Sequence, residues 1–498
     1  MARTYIVSYI SWPGFGVRLA TVKLSTFHMA TRRNGDGEEG VTVENLMAAT
    51  AAMTSPVRRG AAEMVAPARA TPYEFKPLSD IDDQDGLRFY RSGIFLYRHR
   101  AGAGDPAAVL RAALAEALVH YYPFAGRIVE ASPGRKLIVE CTGEGAVFVA
   151  ADLGISLDEL VAAGDGGVIT GPPVTRFRCG GFAWGIQICH CLADAAGVVQ
   201  FLTAVGEFAR GVPGAPTLPP VWARELLISP PPPRRRTAAV SRRHPEYEPV
   251  HDAGRDMISP SDDLLHRPFF FGRRELAALR RAMPSSSPPS RFDLIAAFMW
   301  RCRAAALDYP DADAIRVQFV VNARNIRSPE KKTQIPIGYY GNAFAFAVAE
   351  STAGDLRRRP LAHAVNLVVA AKGKAMEEGH LQSVAELMAA SGRRRFAVAR
   401  TYIVSDITRS GLAGVDVGWG EPVYGGPATV TLATFHVAAR RDGDGEEGVE
   451  VVVRFPAPAM ERMVVEVARG LAGVDGSGGD DDVMVKCTET TSCIAARL

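Results

Sequence analysis

His190-Cys191-Leu192-Ala193-Asp194-Ala195-Ala196-Gly197 lies where one hydrophobic periodicity ends and another begins. Before it, Thr175 to Cys179 and Phe182 to Ile188 are strand-like, and Gly180-Gly181 between them is a hairpin signal. After it, Asp194 to Arg210 carries Val198, Val199, Leu202, Val205 and Phe208 on one helical face. His190 therefore closes an apolar strand and stands four residues before Asp194, at the junction with a helix. In an alternating strand, Cys189 and Cys191 point opposite to His190. No C-x-x-C spacing or second ligand pair accompanies them, so the triplet is a poor zinc site and no metal is expected. A neutral imidazole at this place can take a proton from a hydroxyl, worth roughly 10²–10⁴-fold in rate. It reads equally as a satisfied core histidine. Asp194 reads as an orienting carboxylate, a helix N-cap or a buried ion-pair partner.

The chain has 498 residues, about three times the usual span of a single domain, so two packed lobes are expected. Composition is that of a globular protein, 47% hydrophobic and 22% charged. With 57 basic and 54 acidic side chains, the net charge of +3 gives no footprint for nucleic acid. No run approaches the ~18 apolar residues of a membrane span. Seven cysteines spread along the chain do not read as a disulfide framework. The expectation is a reducing, cytoplasmic location.

Residues 1–33 lack Asp and Glu, which superficially suits a transit peptide. The sequence offers a better explanation. Ala2 to Ser8 recurs as Ala399 to Ser405, and Ala20 to Val41 recurs as Ala428 to Val449 with 17 of 22 positions identical. The first copy has about eleven fewer residues between its two pieces and lacks Asp416-Val417-Gly418-Trp419-Gly420. One partial duplication is not a solenoid, which needs at least three stacked units. Residues 1–56 thus read as a duplicated extension ahead of a complete unit.

From Val57 onward the pattern is orderly. Ser79-Asp80-Ile81-Asp82-Asp83-Gln84 reads as a polar turn, Leu87 to Tyr97 as a strand and Pro106 to Tyr122 as a helix. A Pro/Arg-rich stretch from Gly211 to Val250 favours an extended crossover between lobes. Beyond it, helices are expected at Arg273–Met283, Phe292–Leu307 and Leu361–Glu378, and strands at Arg316–Asn322, Tyr402, Val430–Ala438 and Val449–Phe455. Mixed helices and strands in two lobes make the fold α+β or α/β, with lobes at 57–235 and 236–472 and a frayed Gly/Asp-rich tail at 473–498.

The wider context decides among the readings of His190. His190-Cys191-Leu192-Ala193-Asp194-Ala195-Ala196-Gly197, followed some 220 residues later by Asp416-Val417-Gly418-Trp419-Gly420, resembles the BAHD acyltransferase family. Ser79 to Gln84, Tyr122 to Arg127, Val321 to Arg324 and Gly338 to Phe344 also match, in the family's order, over roughly residues 57–465. Two of these segments, Ser79–Gln84 and Gly338–Phe344, are most similar to its alcohol acyltransferase branch, which includes benzyl alcohol benzoyltransferases. The resemblance implies two chloramphenicol-acetyltransferase-like lobes with a channel between them. Acyl-CoA would be a co-substrate, a small alcohol or amine the acceptor, and no permanently bound cofactor or metal would be needed. His190 would act as general base without a covalent acyl-enzyme, in a monomer. Asp194 would be structural, paired with an arginine for which Arg324 is the candidate. Gly197, Asp416, Gly418, Trp419 and Gly420 would shape the structure, and Ser405, Thr408 and Asn342 would line the substrate channel. The Arg234–Arg236 and Arg393–Arg395 clusters could meet CoA phosphates, or be solvated faces.

Three departures stand out. Val417 occupies a position where the family usually has Phe, a loss of packed volume. The Leu160–Pro173 stretch is short, and the duplicated segment precedes the family's usual start. Amine acylation and a catalytically inactive relative are the competing readings. A hydrolase is disfavoured, because no Gly-x-Ser-x-Gly elbow offers a nucleophile.

Overall fold

The computed structural model describes residues 4–5, 57–131, 136–162, 174–229, 242–250, 264–284, 288–324, 326, 334–428, 433–441 and 445–472. The expected lobe boundary at 235, most of the duplicated extension, most of the Leu160–Pro173 stretch and the tail lie outside these residues.

Two larger sheets carry the molecule. One has the order β14 (Tyr424–Pro427), β4 (Tyr90–Tyr97), β9 (Phe182–Cys189), β8 (Val174–Phe177), β7 (Ala150–Leu153), β2 (Arg58–Arg59). The other runs β10 (Leu264–Phe271), β16 (Glu447–Pro456), β15 (Thr434–Arg440), β13 (Thr401–Asp406), β11 (Ala314–Asn322), β12 (Phe344–Thr352). A four-stranded sheet, β1 (Thr4–Tyr5), β5 (Arg127–Ala131), β6 (Lys136–Glu140) and β3 (Phe75–Pro77), completes the first lobe. The mixture of parallel and antiparallel pairs makes the fold α+β in two lobes.

The expected hairpin between β8 and β9 forms, with Gly180 at φ 81°, a left-handed value that costs glycine little. Helix α1 (Pro106–His120) starts where Asp105 accepts from Ala108 N at 3.0 Å and Pro106 fills the first turn. Helix α2 (Ala195–Ala209) begins at Asp194 and packs against α1. In the second lobe, α4 (Arg291–Ala306) is opened by a capping box between Ser290 and Asp293. It is buried between α5 (Leu361–Ala375), α7 (Ala457–Ala472) and the sheet. A shorter helix, α3 (Arg273–Arg281), flanks it.

The lobes interlock. After β13 the chain leaves the second lobe's sheet and adds β14 to the edge of the first, with Tyr424 opposite Leu96 and Pro427 opposite Gly93. It then returns as β15, parallel to β13. An apolar cluster of Ile94, Leu96, Phe177, Tyr424, Phe435 and Val437 fills the seam.

Ser79 to Gln84 forms the expected polar turn, and the turn is buried, with Ser79, Asp82, Asp83 and Gln84 at most 1% exposed. The sequence-based expectations need two corrections. Leu87 belongs to a 3₁₀ turn, and the strand starts at Tyr90. Expected as one helix, Leu361–Glu378 stops at Ala375, and Gly379 at φ 76° starts a second, α6 (His380–Ser391).

Candidate active site

Strand β9 ends at Cys189 because its partner β4 begins opposite it at Tyr90. One further bond, from His190 N to Phe89 O at 2.9 Å, holds the next residue at the strand's lip. The His190 carbonyl accepts from Asn342 Nδ2 at 2.8 Å, so the backbone is fixed from both sides. The ring is half-buried against Phe89 and Phe344, with centroids 5.4 and 6.1 Å away. Phe344 continues into Phe346 and Phe396, which form an aromatic wall. Burial, and then the nearby Arg91 guanidinium, hold the His190 imidazole below its ordinary value. Near neutral pH the ring is therefore uncharged, the form that can accept a proton. Cys189 and Cys191 bring their buried sulfurs to 3.0 Å of each other beside it.

Behind His190 lies a buried polar chain. Asp82 Oδ1 accepts from both Asn342 N and Asn342 Nδ2, at 2.9 and 2.8 Å. Asp82 Oδ2 takes the Ser79 hydroxyl at 2.7 Å and pairs with Arg224 Nε at 3.0 Å, both side chains being fully buried. Arg224 donates onward to the Leu192 carbonyl at 2.7 Å, inside the histidine loop, and stacks on Trp222 at 4.4 Å. Asp80 pairs with Lys136, and Asp83 with Arg88 and Arg393. Breaking a buried charge pair is costly, and the loop carrying His190 supplies one of the bonds that hold this one, through the Leu192 carbonyl. Arg393, read from sequence as a phosphate contact or a solvated cation, is thereby committed to a buried carboxylate. The Arg234–Arg236 cluster lies outside the described residues.

Asp194 is turned away into structure. Its Oδ1 accepts from Gly197 N at 3.0 Å, capping α2, and its Oδ2 accepts from Ala343 N at 3.0 Å. Arg324 makes a two-pronged bond to it at 2.7 and 2.9 Å, and also donates to Gly341 O at 2.7 Å. A side chain at Gly197 would bring a Cβ to 2.1 Å from Tyr340 O, so only glycine permits α2 to approach that loop. The carboxylate is thus the knot joining the histidine loop, Val321–Arg324 and Gly338–Phe344.

Asp416 to Gly420 sits at the other end of α2. A 15-residue helix spans roughly 22 Å, which sets the separation between this segment and His190. Asp416 Oδ1 accepts from Gly418 N and Gly420 N, both at 2.8 Å, closing a tight turn in which Gly418 has φ 100°. Tyr97 Oη donates to Val415 O at 2.8 Å, and Trp419 packs edge-on against Phe182 at 5.0 Å. Val417 is fully buried. The segment is a clamp on the first lobe and is remote from the imidazole. Ser405 lies on β13 and is half-buried. Thr408 Oγ1 bonds Asp406 at 2.7 Å and accepts from Arg291 at 3.2 Å. Neither is given a bond to His190, whereas the Asn342 side-chain amide donates to the His190 carbonyl.

A family model described as Transferase family matches residues 56–170 and 173–468. The chain belongs to this family, the BAHD acyltransferases. It is 45% identical over 446 residues to a benzyl alcohol O-benzoyltransferase of Petunia hybrida, covering 84% of this chain and 94% of that one. It is 44% identical over 448 residues to a protein of the same description from Nicotiana tabacum, with 84% and 94% covered. With an alcohol acyltransferase of Actinidia chinensis var. chinensis it shares 41% identity over 438 residues, 83% and 93% of the two chains. Among solved structures, vinorine synthase superposes with TM-score 0.63 at 20% identity, covering 83% of this chain and 98% of that one. TRI101 of F. sporotrichioides, complexed with coenzyme A and T-2, gives 0.61 at 16%, covering 79% and 97%. These two likenesses establish the fold.

As a BAHD chain, the protein is an acyltransferase. Four of the family's segments, Ser79–Gln84, His190–Gly197, Val321–Arg324 and Gly338–Phe344, are brought together by Asp82, Asn342, Asp194 and Arg324. Sequence reasoning missed Asp82 and Arg224 as members of this site. Their signal was the acidic stretch Ser79 to Gln84, whose three carboxylates outnumber the two nearby cations, Lys76 and Arg88.

Proposed function

We propose that this protein transfers an acyl group from acyl-CoA to the hydroxyl of a small alcohol, with His190 as general base. The observation that carries the reading is the His190 ring, kept neutral by burial and facing an aromatic wall, while its backbone is locked by Phe89 and Asn342. In this reading acyl-CoA and acceptor enter a channel between the lobes from opposite sides. His190 takes the hydroxyl proton as the oxygen attacks the thioester carbonyl. The tetrahedral intermediate collapses, the C–S bond breaks, and the imidazolium returns the proton to the CoA thiolate. No side chain is acylated. Phe89, Phe344 and Phe346 suit an aromatic acyl or alcohol group, in keeping with the benzyl alcohol O-benzoyltransferases that the chain is most similar to in sequence among the relatives above. Asp194 acts structurally, Asn342 positions the histidine, and Asp416 to Gly420 holds the CoA-side wall, with Ser405 and Thr408 toward it. Five free cysteines among the described residues suit a reducing cytoplasm, where the enzyme would work as a monomer.

The test is thiol release from acetyl-, benzoyl- and p-coumaroyl-CoA against panels of alcohols and amines. Acceptor-dependent release with benzoyl-CoA and an aromatic alcohol is expected, falling by about 10²–10⁴-fold in His190→Ala. Undiminished turnover in that variant would remove the histidine from the mechanism. Turnover only with amines would replace the acceptor class.

A further inference from the structure

Away from His190, three ligand-type side chains converge in the second lobe. His244, Glu246 and His380 are each at least nine-tenths buried, and one ligand atom from each lies within 4.8 Å of the other two. They come from separate pieces of chain. His244 and Glu246 flank Pro245 in a 3₁₀ turn where the crossover rejoins the second lobe. His380 opens α6, directly after the left-handed Gly379. His244 Nδ1 stands 3.0 Å from Glu246 Oε1, its Nε2 is 2.9 Å from Ser383 Oγ, and the two imidazole centroids are 5.2 Å apart. The Nε2 of His380 is buried and has no hydrogen-bond partner among the described residues.

We infer that His244, Glu246 and His380 form a structural zinc site that staples the interlobe crossover to helix α6. Two imidazoles and a carboxylate are a donor set suited to a borderline cation, with zinc held by nitrogen and oxygen at ~2.0–2.2 Å. Tetrahedral ligands at that radius stand about 3.3 Å apart, so the 3.0 Å pair is already at ligand spacing. Roughly 1–1.5 Å of side-chain motion brings in the third ligand. A water can fill the fourth position of a three-ligand site. A metal also explains the otherwise orphaned His380 nitrogen, since buried polar atoms are rarely left unsatisfied.

The staple has a mechanical purpose. The turn carrying Glu246 is tied to Ala397 N at 2.7 Å and to Arg316, and Tyr247 Oη donates to Gln84 Oε1 at 2.6 Å. Gln84 belongs to the buried acidic segment that holds Asn342 behind His190. The site is thus connected to the active centre through packed chain, without being part of it.

The full-length chain, carrying a histidine-free tag, is loaded with Zn²⁺ or Co²⁺ and passed over a gel-filtration column in metal-free buffer. About one equivalent of zinc should be retained, cobalt should give the intense visible d–d absorption of a tetrahedral site, and Zn²⁺ but not Mg²⁺ should raise the Tm of the wild-type protein. His380→Gln should lower retained metal at least ~10-fold and abolish the Zn²⁺-dependent Tm rise while keeping the near-ultraviolet circular dichroism of the fold. If that variant fails to fold, the wild-type cobalt spectrum and the Zn²⁺-dependent Tm decide. Absence of retained metal with no Tm response overturns the proposal, as does retention by His380→Gln equal to wild type. An octahedral, easily washed-out cobalt spectrum overturns it as well.

Discussion

Replacing Asp194 separates a structural carboxylate from a catalytic one, because its bonds are enumerated. The side chain is 11% exposed and accepts four bonds, two from Arg324 at 2.7 and 2.9 Å and one each from Gly197 N and Ala343 N at 3.0 Å. In Asp194→Ala the helix cap is lost, about 1 kcal/mol. The Ala343 N–H is orphaned in a buried place, about 1–3 kcal/mol. Arg324 keeps its bond to Gly341 O but loses its counter-charge in a site that leaves it 18% exposed. Breaking a buried pair costs about 3–5 kcal/mol in total, which already contains part of the first two costs, so ~4 kcal/mol is the working figure. Against a usual stability of about 5–15 kcal/mol this leaves a folded but fragile protein. Asp194→Asn retains the cap and one strong acceptor, so about 2 kcal/mol is expected. Urea unfolding followed by circular dichroism measures both, and kcat is taken in the folded baseline. Since neither oxygen bonds the His190 ring, kcat of Asp194→Asn should stay within about tenfold of wild type. A carboxylate that oriented the imidazole directly would cost nearer ~10⁴. A loss of ~10³ or more in kcat at undiminished stability would refute the assignment.

Other outcomes follow from the same network. The acidic limb of kcat/KM should fall below pH 6.5, because burial lowers the His190 pKa and activity is lost only as pH falls through that lowered value; a limb above 7 would contradict it. His436, fully buried and pushed down to about 4 chiefly by burial, is neutral in the fold and protonates first when unfolded. Stability should therefore decline by up to ~1.4 kcal/mol per unit as pH drops from about 6.5 toward 4, an effect removed in His436→Gln and read from urea midpoints. Asn342→Ala frees the His190 carbonyl and one Asp82 bond, so kcat should drop on the order of tenfold with KM for acyl-CoA little changed; equal loss in both would assign Asn342 to CoA binding. Deleting residues 1–56 should leave kcat/KM within about twofold, because the family match begins at residue 56 and the described contact of that segment is the two-residue strand β1 on an edge of the small sheet.

Local features were legible in sequence wherever they depend on neighbours along the chain. The β8–β9 hairpin, the strand ending just before His190 and the capped helix that follows are all set by residues within a few positions of each other. The polar network is different. Nothing near Asp82 announces that Arg224 and Asn342 will neutralise and hydrogen-bond it across 142 and 260 residues, so the sequence shows a polar turn there but not its burial. Burial of a charge becomes sensible only once its partner is located, and partners at that separation are set by topology. The helix break at Gly379 went unread for a related reason. Apolar residues continue at helical spacing on both sides, and only the left-handed backbone separates two helices.

The duplicated stretch carries this dependence on topology furthest. Thr401-Tyr402 lies in β13, parallel to β11 with Arg316 and Val317 opposite. The same dipeptide at Thr4-Tyr5 pairs antiparallel with Arg127 and Ile128 in another sheet. Identical residues thus take opposite strand senses, because β13 already has β11 on one side and β15 on the other, leaving no edge for a second copy. What distinguishes the C-terminal copy is the longer segment between its halves. Asp416 to Gly420 and β14 cross to the first lobe there, clamp the far end of α2 and thereby fix the rod whose near end is capped by Asp194. The first copy has no counterpart of Asp416 to Gly420 in its sequence, so this tie between the lobes is made from the C-terminal copy.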